Sequence, residues 1–152
     1  MTARLQITNS QETLYNQDYY QWLTQTAKLL KEKQFTQLDL ENLIEEIESL
    51  GRSEKRAIES NLIIVILHLL KWRYQPEKRS SSWKSSIREH RRRIQRLLTD
   101  SPSLKNYLSE IFTTCYLAAK KQASDETGLS LVAFPEECPF SLSESLNEDF
   151  LA

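Results

Sequence analysis

Apolar residues recur along most of this chain at the three-and-four spacing of a helix face, and the predicted elements follow from where that rhythm starts and stops. Tyr19, Trp22, Leu23, Thr26, Ala27, Leu29 and Leu30 share one side of a helical wheel behind Asp18, a good N-cap, which predicts a first helix over about 18–32. A second begins near Asp39, where Leu40, Leu43, Ile44, Ile47 and Leu50 make a narrow seam ending at Gly51, a residue suited to a helix C′ position. Ser53 and Glu54 offer a cap for a third helix that runs to about Gln75, where Pro76 stops it. One straight helix over 39–75 would be about 55 Å long, against a radius of gyration of about 15 Å for a compact domain of this length, so a bend or break is expected at Gly51.

The polar stretch "PEKRSSSWKSS" leads into a fourth helix over about 81–99, with a seam of Trp83, Ile87, His90, Ile94, Leu97 and Leu98. In "TDSPSL", Ser101 is the expected N-cap of a fifth helix and Pro102 its first residue, where a missing N–H is no loss. Its seam is Leu104, Tyr107, Leu108, Ile111, Phe112, Cys115, Ala118 and Ala119, and its end is at "ETG" with Gly128 past the last turn. So short a connection makes the fourth and fifth helices antiparallel neighbours. The remaining acidic tail, 129–152, carries Phe134, Phe140 and Phe150 to pin it on the helices, at most a short helix after Ser141, and a weak strand signal in "LSLVAF". The expected fold is all-α: a single-domain bundle of about five helices over 18–128, preceded by an N-terminal lead, 1–17, and followed by the packed tail.

Length changes this picture little, because 152 residues suffice for one core without disulfide or metal. Cys115 and Cys138 are too few for a secreted scaffold and are read as reduced thiols. The start of the chain has no basic and apolar leader, and the apolar run from Leu62 to Leu70 spans only about 14 Å as a helix, so a cytoplasmic protein with no membrane span is expected. Glycine matters more: with Gly51 and Gly128 alone, the chain lacks the loops that cradle phosphates in P-loop and dinucleotide folds, and it lacks a nucleophile elbow. No cofactor is expected.

The net charge of -1 hides a segregation. Residues 37–50 hold five acids and no base, whereas 71–96 hold ten bases and two acids. On the second helix, Glu41, Glu45 and Glu48 line one flank of the seam and Asp39, Asn42 and Glu46 the other. Like charges at i, i+4 cost a helix roughly 0.2–0.5 kcal/mol each, so compensation is expected from the arginines of the fourth helix. There Lys84, Arg88, Arg92 and Arg96 form an outer stripe, with Arg91 at the edge of the seam. Trp72, Tyr74 and Trp83 lie among these bases, a composition that also suits phosphates and stacked bases. His68 sits opposite the main apolar arc of its helix, beside Asn61, Lys71 and Gln75, and reads as a hydrogen-bonded boundary histidine; His90 lies on the seam of the fourth helix. Val65 and Ile87 stand three residues before the two histidines, where a helical-bundle metal site would carry glutamates, so no metal site is assigned.

"LDLENLIEEIESLGRSEKR", "HLLKWRYQPEKRSSSW", "SPSL", and "ETGL" followed by "FPEECPF" together resemble the largely cyanobacterial family known as domain of unknown function 29, over about Tyr15 to Phe150. The resemblance implies a small all-helical domain and brings no catalytic residues with it. Asp39, Asn42, Glu45, Glu46, Glu48, Gly51, His68, Lys71, Trp72, Gln75, Pro76, Ser82 and Trp83 match the family's pattern. The functional expectation is a protein–protein interaction module, its partner another protein or a second copy, with the acidic flank meeting basic residues of the fourth helix in the same or another chain. Nucleic-acid binding through the basic face ranks second. A metal-dependent reaction using His68 with the carboxylates of the second helix ranks third.

Overall fold

The computed structural model describes residues 14–152, so the lead 1–17 lies largely outside the described residues. All regular structure among them is helical. The elements are α1 (Tyr19–Lys31), α2 (Leu40–Tyr74), α3 (Ser81–Asp100), α4 (Leu104–Thr127) and the short α5 (Leu142–Leu146), with single 3-10 turns at Phe35–Gln37, Pro76–Lys78 and Leu131–Ala133. The chain divides into two compact units, Met1–Arg52 and Ser53–Ala152.

Local chemistry sets most of the boundaries. The Asp18 carboxylate accepts the Gln21 N–H at 3.0 Å, the expected cap of α1. The helix ends without a glycine: Lys33 takes the left-handed conformation at φ 59°, and the N–H groups of Lys33 and Gln34 return to the carbonyls of Leu30 and Leu29 at 3.1 and 2.9 Å. Ser80 caps α3 by accepting the Trp83 N–H, and Gly128 ends α4 at φ 74°, a conformation that a side chain would strain. Ser141 and Glu144 form a reciprocal capping box at the start of α5.

Three sequence expectations fail here. No break occurs at Gly51: α2 is helical from Leu40 to Tyr74, and Ser53 and Glu54 lie inside it instead of capping a new helix. A helical glycine costs only about 1 kcal/mol relative to alanine, which an unbroken hydrogen-bond ladder outweighs, and Gly51 does not adopt the positive φ of a C′ residue. Ser101 does not cap α4, because Leu104 and Lys105 first turn back to the carbonyls of Ser101 and Pro102 at 3.0 and 3.1 Å and the α-helix begins only at Leu104. The "LSLVAF" segment forms a 3-10 turn at Leu131–Ala133 and no strand, since no neighbouring strand exists among the described residues to complete a ladder.

A Cβ added at Gly51 would meet no atom within 4 Å. Gly51→Ala is therefore expected to stabilise α2 by about 1 kcal/mol, measured as slower amide exchange over the flanking turns. A loss of protection there would mean that the glycine serves a bend after all.

In the second unit, Ile58, Leu62, Val65, Ile66, Leu69 and Leu70 of α2 form one side of the core. They meet Ile87 and Ile94 of α3, and Leu108, Cys115, Tyr116, Ala119 and Ala123 of α4. The tail is pinned as its aromatics predict: Phe134 and Phe140 are buried, Phe134 meets Tyr74 edge-on, and Phe150 meets Phe140 edge-on. The Tyr116 hydroxyl donates to the Pro135 carbonyl, which ties the tail to α4. Burial pushes the Cys115 thiol up to about 12, so this cysteine is protonated and acts as core filling.

The first unit is built differently. Among the described residues, its buried apolar side chains are Trp22 and Leu38, with the Trp22 ring flanked by Tyr15 and Tyr19. Nine of the twelve well-exposed large apolar side chains of the described residues belong to this unit.

Candidate functional site

The acidic residues singled out above divide into distinct local roles. Asp39, 3% exposed, precedes α2 and accepts the backbone N–H of Asn42 at 3.4 Å and its side-chain amide at 2.7 Å, so it caps the helix. Glu46 accepts hydrogen bonds from the hydroxyls of Tyr15 and Tyr19, which hold its carboxyl below the usual range and push Tyr15 up to about 12. Glu45 pairs with Arg52 at 2.6 Å, and Glu48 lies 4.0 Å from the same guanidinium. Part of the like-charge cost along α2 is thus offset one or two turns away by Arg52, a base outside the expected set.

The apolar seam between these acids is open. Leu40, Ile44, Ile47 and Leu50 are 56, 52, 61 and 67% exposed. On the same face of the same helix, Ile58, Leu62, Val65 and Leu69 are fully buried. Helical periodicity runs unchanged from one half to the other, while burial changes from open to complete. Nearby in α1, the indole N–H of Trp22 and the hydroxyl of Thr26 are buried with no hydrogen-bond partner among the described residues.

The basic residues separate as well. Arg91 is buried, 4% exposed, and donates from Nε to the Ser145 carbonyl at 2.8 Å and from Nη2 to the Glu144 carbonyl at 3.3 Å. It anchors α5. Arg92 and Arg93 share Glu89, whose carboxyl the two guanidiniums hold down at about 2. Lys84, Arg88 and Arg96 are exposed. The tryptophans among the bases are occupied: Lys71 Nζ lies 4.6 Å from the centre of the Trp83 ring, and the Arg79 guanidinium 5.0 Å from that of Trp72. Arg79 also donates to the Trp72 carbonyl at 2.8 Å, and Gln75 reaches the Thr127 carbonyl at 3.5 Å, so the motif "KWRYQPEKR" works as a clasp for the ends of α2 and α4.

His68 is half-buried and donates from Nδ1 to the Ile64 carbonyl at 2.9 Å. His90 makes the equivalent bond to Ser86 at 2.8 Å. Burial holds the His68 pKa below its ordinary 6.5; Lys71 and His90 lower it further, while the Ile64 carbonyl and Glu126 pull it up. A histidine that resists protonation only when folded contributes stability above pH 6.5, and that stability is lost as pH falls below it, because the unfolded chain binds the proton first. The urea midpoint is expected to decline from pH 7.5 towards 5.5, and His68→Gln to flatten that slope. Among the described residues, no three His, Cys, Asp or Glu side chains cluster as a metal ion would need, and no helix is long and apolar enough to cross a membrane.

A cleft of about 440 Å³ opens along α3 against the end of the tail, lined by Lys84, Ile87, Arg88, Arg91, Arg92, Glu148, Asp149 and Leu151. Sequence reasoning named its four bases and missed its opposite wall. Glu148, Asp149 and Leu151 carry no motif, and only the folding of the tail brings them to α3.

No curated protein and no solved structure matches the chain. The family described as Domain of unknown function DUF29 matches residues 14–151, nearly the whole chain and both compact units. This protein therefore belongs to the DUF29 family.

Proposed function

We propose that this protein is a protein–protein interaction module whose docking surface is the open stripe Leu40, Ile44, Ile47 and Leu50. The observation that carries the reading is the change from exposed to fully buried along one face of α2. A row of four large aliphatic side chains at helical spacing is the shape that receives an amphipathic helix, read as anchors at i, i+3, i+4 and i+7. Charge selects the occupant. Glu41, Glu45 and Glu48 flank the stripe, and Arg52 is the base that pairs with two of them. A second copy of the same stripe would set carboxylates against carboxylates, which disfavours self-association. The outer stripe of α3, Lys84, Arg88, Arg92 and Arg96, has the matching charge but no aliphatic anchors to cover Ile44 and Ile47. The partner is therefore a separate amphipathic helix with leucine or isoleucine anchors and a lysine- or arginine-rich flank.

The nucleic-acid reading is weaker, since the indoles that would stack on bases already carry Arg79 and Lys71. The test is an anisotropy titration with a labelled synthetic helix carrying leucine anchors and lysine flanks, beside the same peptide with glutamate flanks. The lysine peptide is expected to bind, less tightly as salt rises, and the glutamate peptide not to bind. Equal binding of both, binding of neither, or a stable dimer by sedimentation would overturn the assignment.

A further inference from the structure

The cleft between α3 and the end of the tail is separate from the docking stripe and lies wholly within the second unit. Its two walls carry opposite charge. On the α3 side stand Lys84, Arg88 and Arg91, together with Arg92, whose guanidinium is already held by Glu89. On the tail side stand Glu148 and Asp149. These walls are not ion-paired, although Glu148 acts electrostatically on Arg91: among the described residues, neither tail carboxylate forms an ion pair, and neither Lys84 nor Arg88 has one. Lys84 and Arg88 are four residues apart on one helix face and repel each other, so the bare surface holds an unfavourable arrangement that an anion would relieve. Arg91 is held in place by two neutral carbonyls, and Glu148 is the charge that acts on it across the cleft.

We infer that this cleft binds a small polyhydroxylated phosphate ester, with the phosphate on Lys84, Arg88 and Arg91 and the hydroxyls donating to Glu148 and Asp149. Guanidinium and ammonium groups along one wall provide the charge-assisted bonds that a phosphate takes. The volume, about 440 Å³, falls in the range of small-molecule sites and exceeds what a phosphate alone would fill. Carboxylates on the opposite wall accept hydrogen bonds and repel further negative charge, which selects a ligand whose body is neutral and rich in O–H donors. Ile87 and Leu151 supply the apolar part of the lining, and no aromatic ring lines the cleft to stack on a base, so a sugar phosphate fits better than a nucleotide.

The experiment is calorimetric titration of the full chain with ribose 5-phosphate, glucose 6-phosphate, glucose, inorganic phosphate, adenosine monophosphate and a short single-stranded RNA. At least one sugar phosphate is expected to bind saturably, about tenfold or more tighter than inorganic phosphate, with free glucose silent. Lys84→Gln with Arg88→Gln is expected to weaken the sugar phosphate about tenfold or more. Glu148→Gln with Asp149→Asn is expected to remove its advantage over inorganic phosphate, while inorganic phosphate itself binds no less tightly. Both pairs replace exposed side chains, and unchanged thermal unfolding of the variants confirms that any loss is a loss of binding. Absence of saturable sugar-phosphate binding, binding indifferent to either pair, or binding of the RNA alone would overturn the inference.

Discussion

Ile47→Asp is expected to weaken binding of the lysine-flanked helix by about thirtyfold or more while leaving the fold intact. Two quantities set that result. An anchor at the centre of an interface costs about 2 kcal/mol or more when lost, which corresponds to about thirtyfold in affinity. Its replacement by a carboxylate also puts a charge among contacts that binding would strip of water. Against this, Ile47 is 61% exposed in the free protein, so its removal takes little from the core, and substitutions at such sites change stability by about 0.5 kcal/mol or less. The contrast between a large loss of binding and an unchanged unfolding midpoint is the signature of a docking residue. Ile58→Asp provides the reference: it lies on the same helix face but is fully buried, and it should unfold the second unit. If Ile47→Asp lowers stability and leaves peptide binding untouched, the stripe is a structural seam and the proposed function is wrong.

Arg91→Ala is expected to destabilise the second unit by about 3 kcal/mol and to release the tail from α3. The guanidinium makes two hydrogen bonds to the carbonyls of Glu144 and Ser145, and bonds with one charged partner are worth about 1.5–3 kcal/mol each. Truncation also leaves a void where the aliphatic stem packed, and it strands the carbonyl of the fully buried Ser145. Amide exchange should localise the damage, with protection lost over 141–151 before it is lost in α2 or α4. Arg91→Lys should recover only part of the stability, because a single ammonium cannot reproduce the fork that spans two carbonyls. Unchanged protection over the tail in Arg91→Ala would show that Phe134, Phe140 and Tyr116 hold it without help.

Much of the helix layout was legible in the residues. Asp18 as a cap, Pro76 as a stop, Gly128 as an end and the phenylalanines of the tail each act through chemistry that needs few distant partners, and each behaves as read. The failures share a cause. A compact single body calls for a bend or break at Gly51, yet the local cost of a helical glycine is small and the helix continues unbroken. Leu40, Ile44, Ile47 and Leu50 share a face, but periodicity reports which residues point together and says nothing of what covers them. The acidic flank shows the same limit: counting charges exposed the surplus, while the roles of Arg52, Tyr15 and Tyr19 depended on distances that counts do not contain.

By itself, the sequence determined that this protein is all-helical, where most of its helices start and stop, and which family it belongs to. These follow from hydrogen bonds, capping groups and side-chain spacing, which act over a few residues along the chain. Only the tertiary structure decided that one long stripe is half core and half open surface, that Arg91 is an anchor and not a surface charge, and that Glu148 and Asp149 face the bases of α3. Burial and electrostatic pairing belong to positions in space, and residues more than fifty apart in sequence acquire them only when the chain has closed on itself.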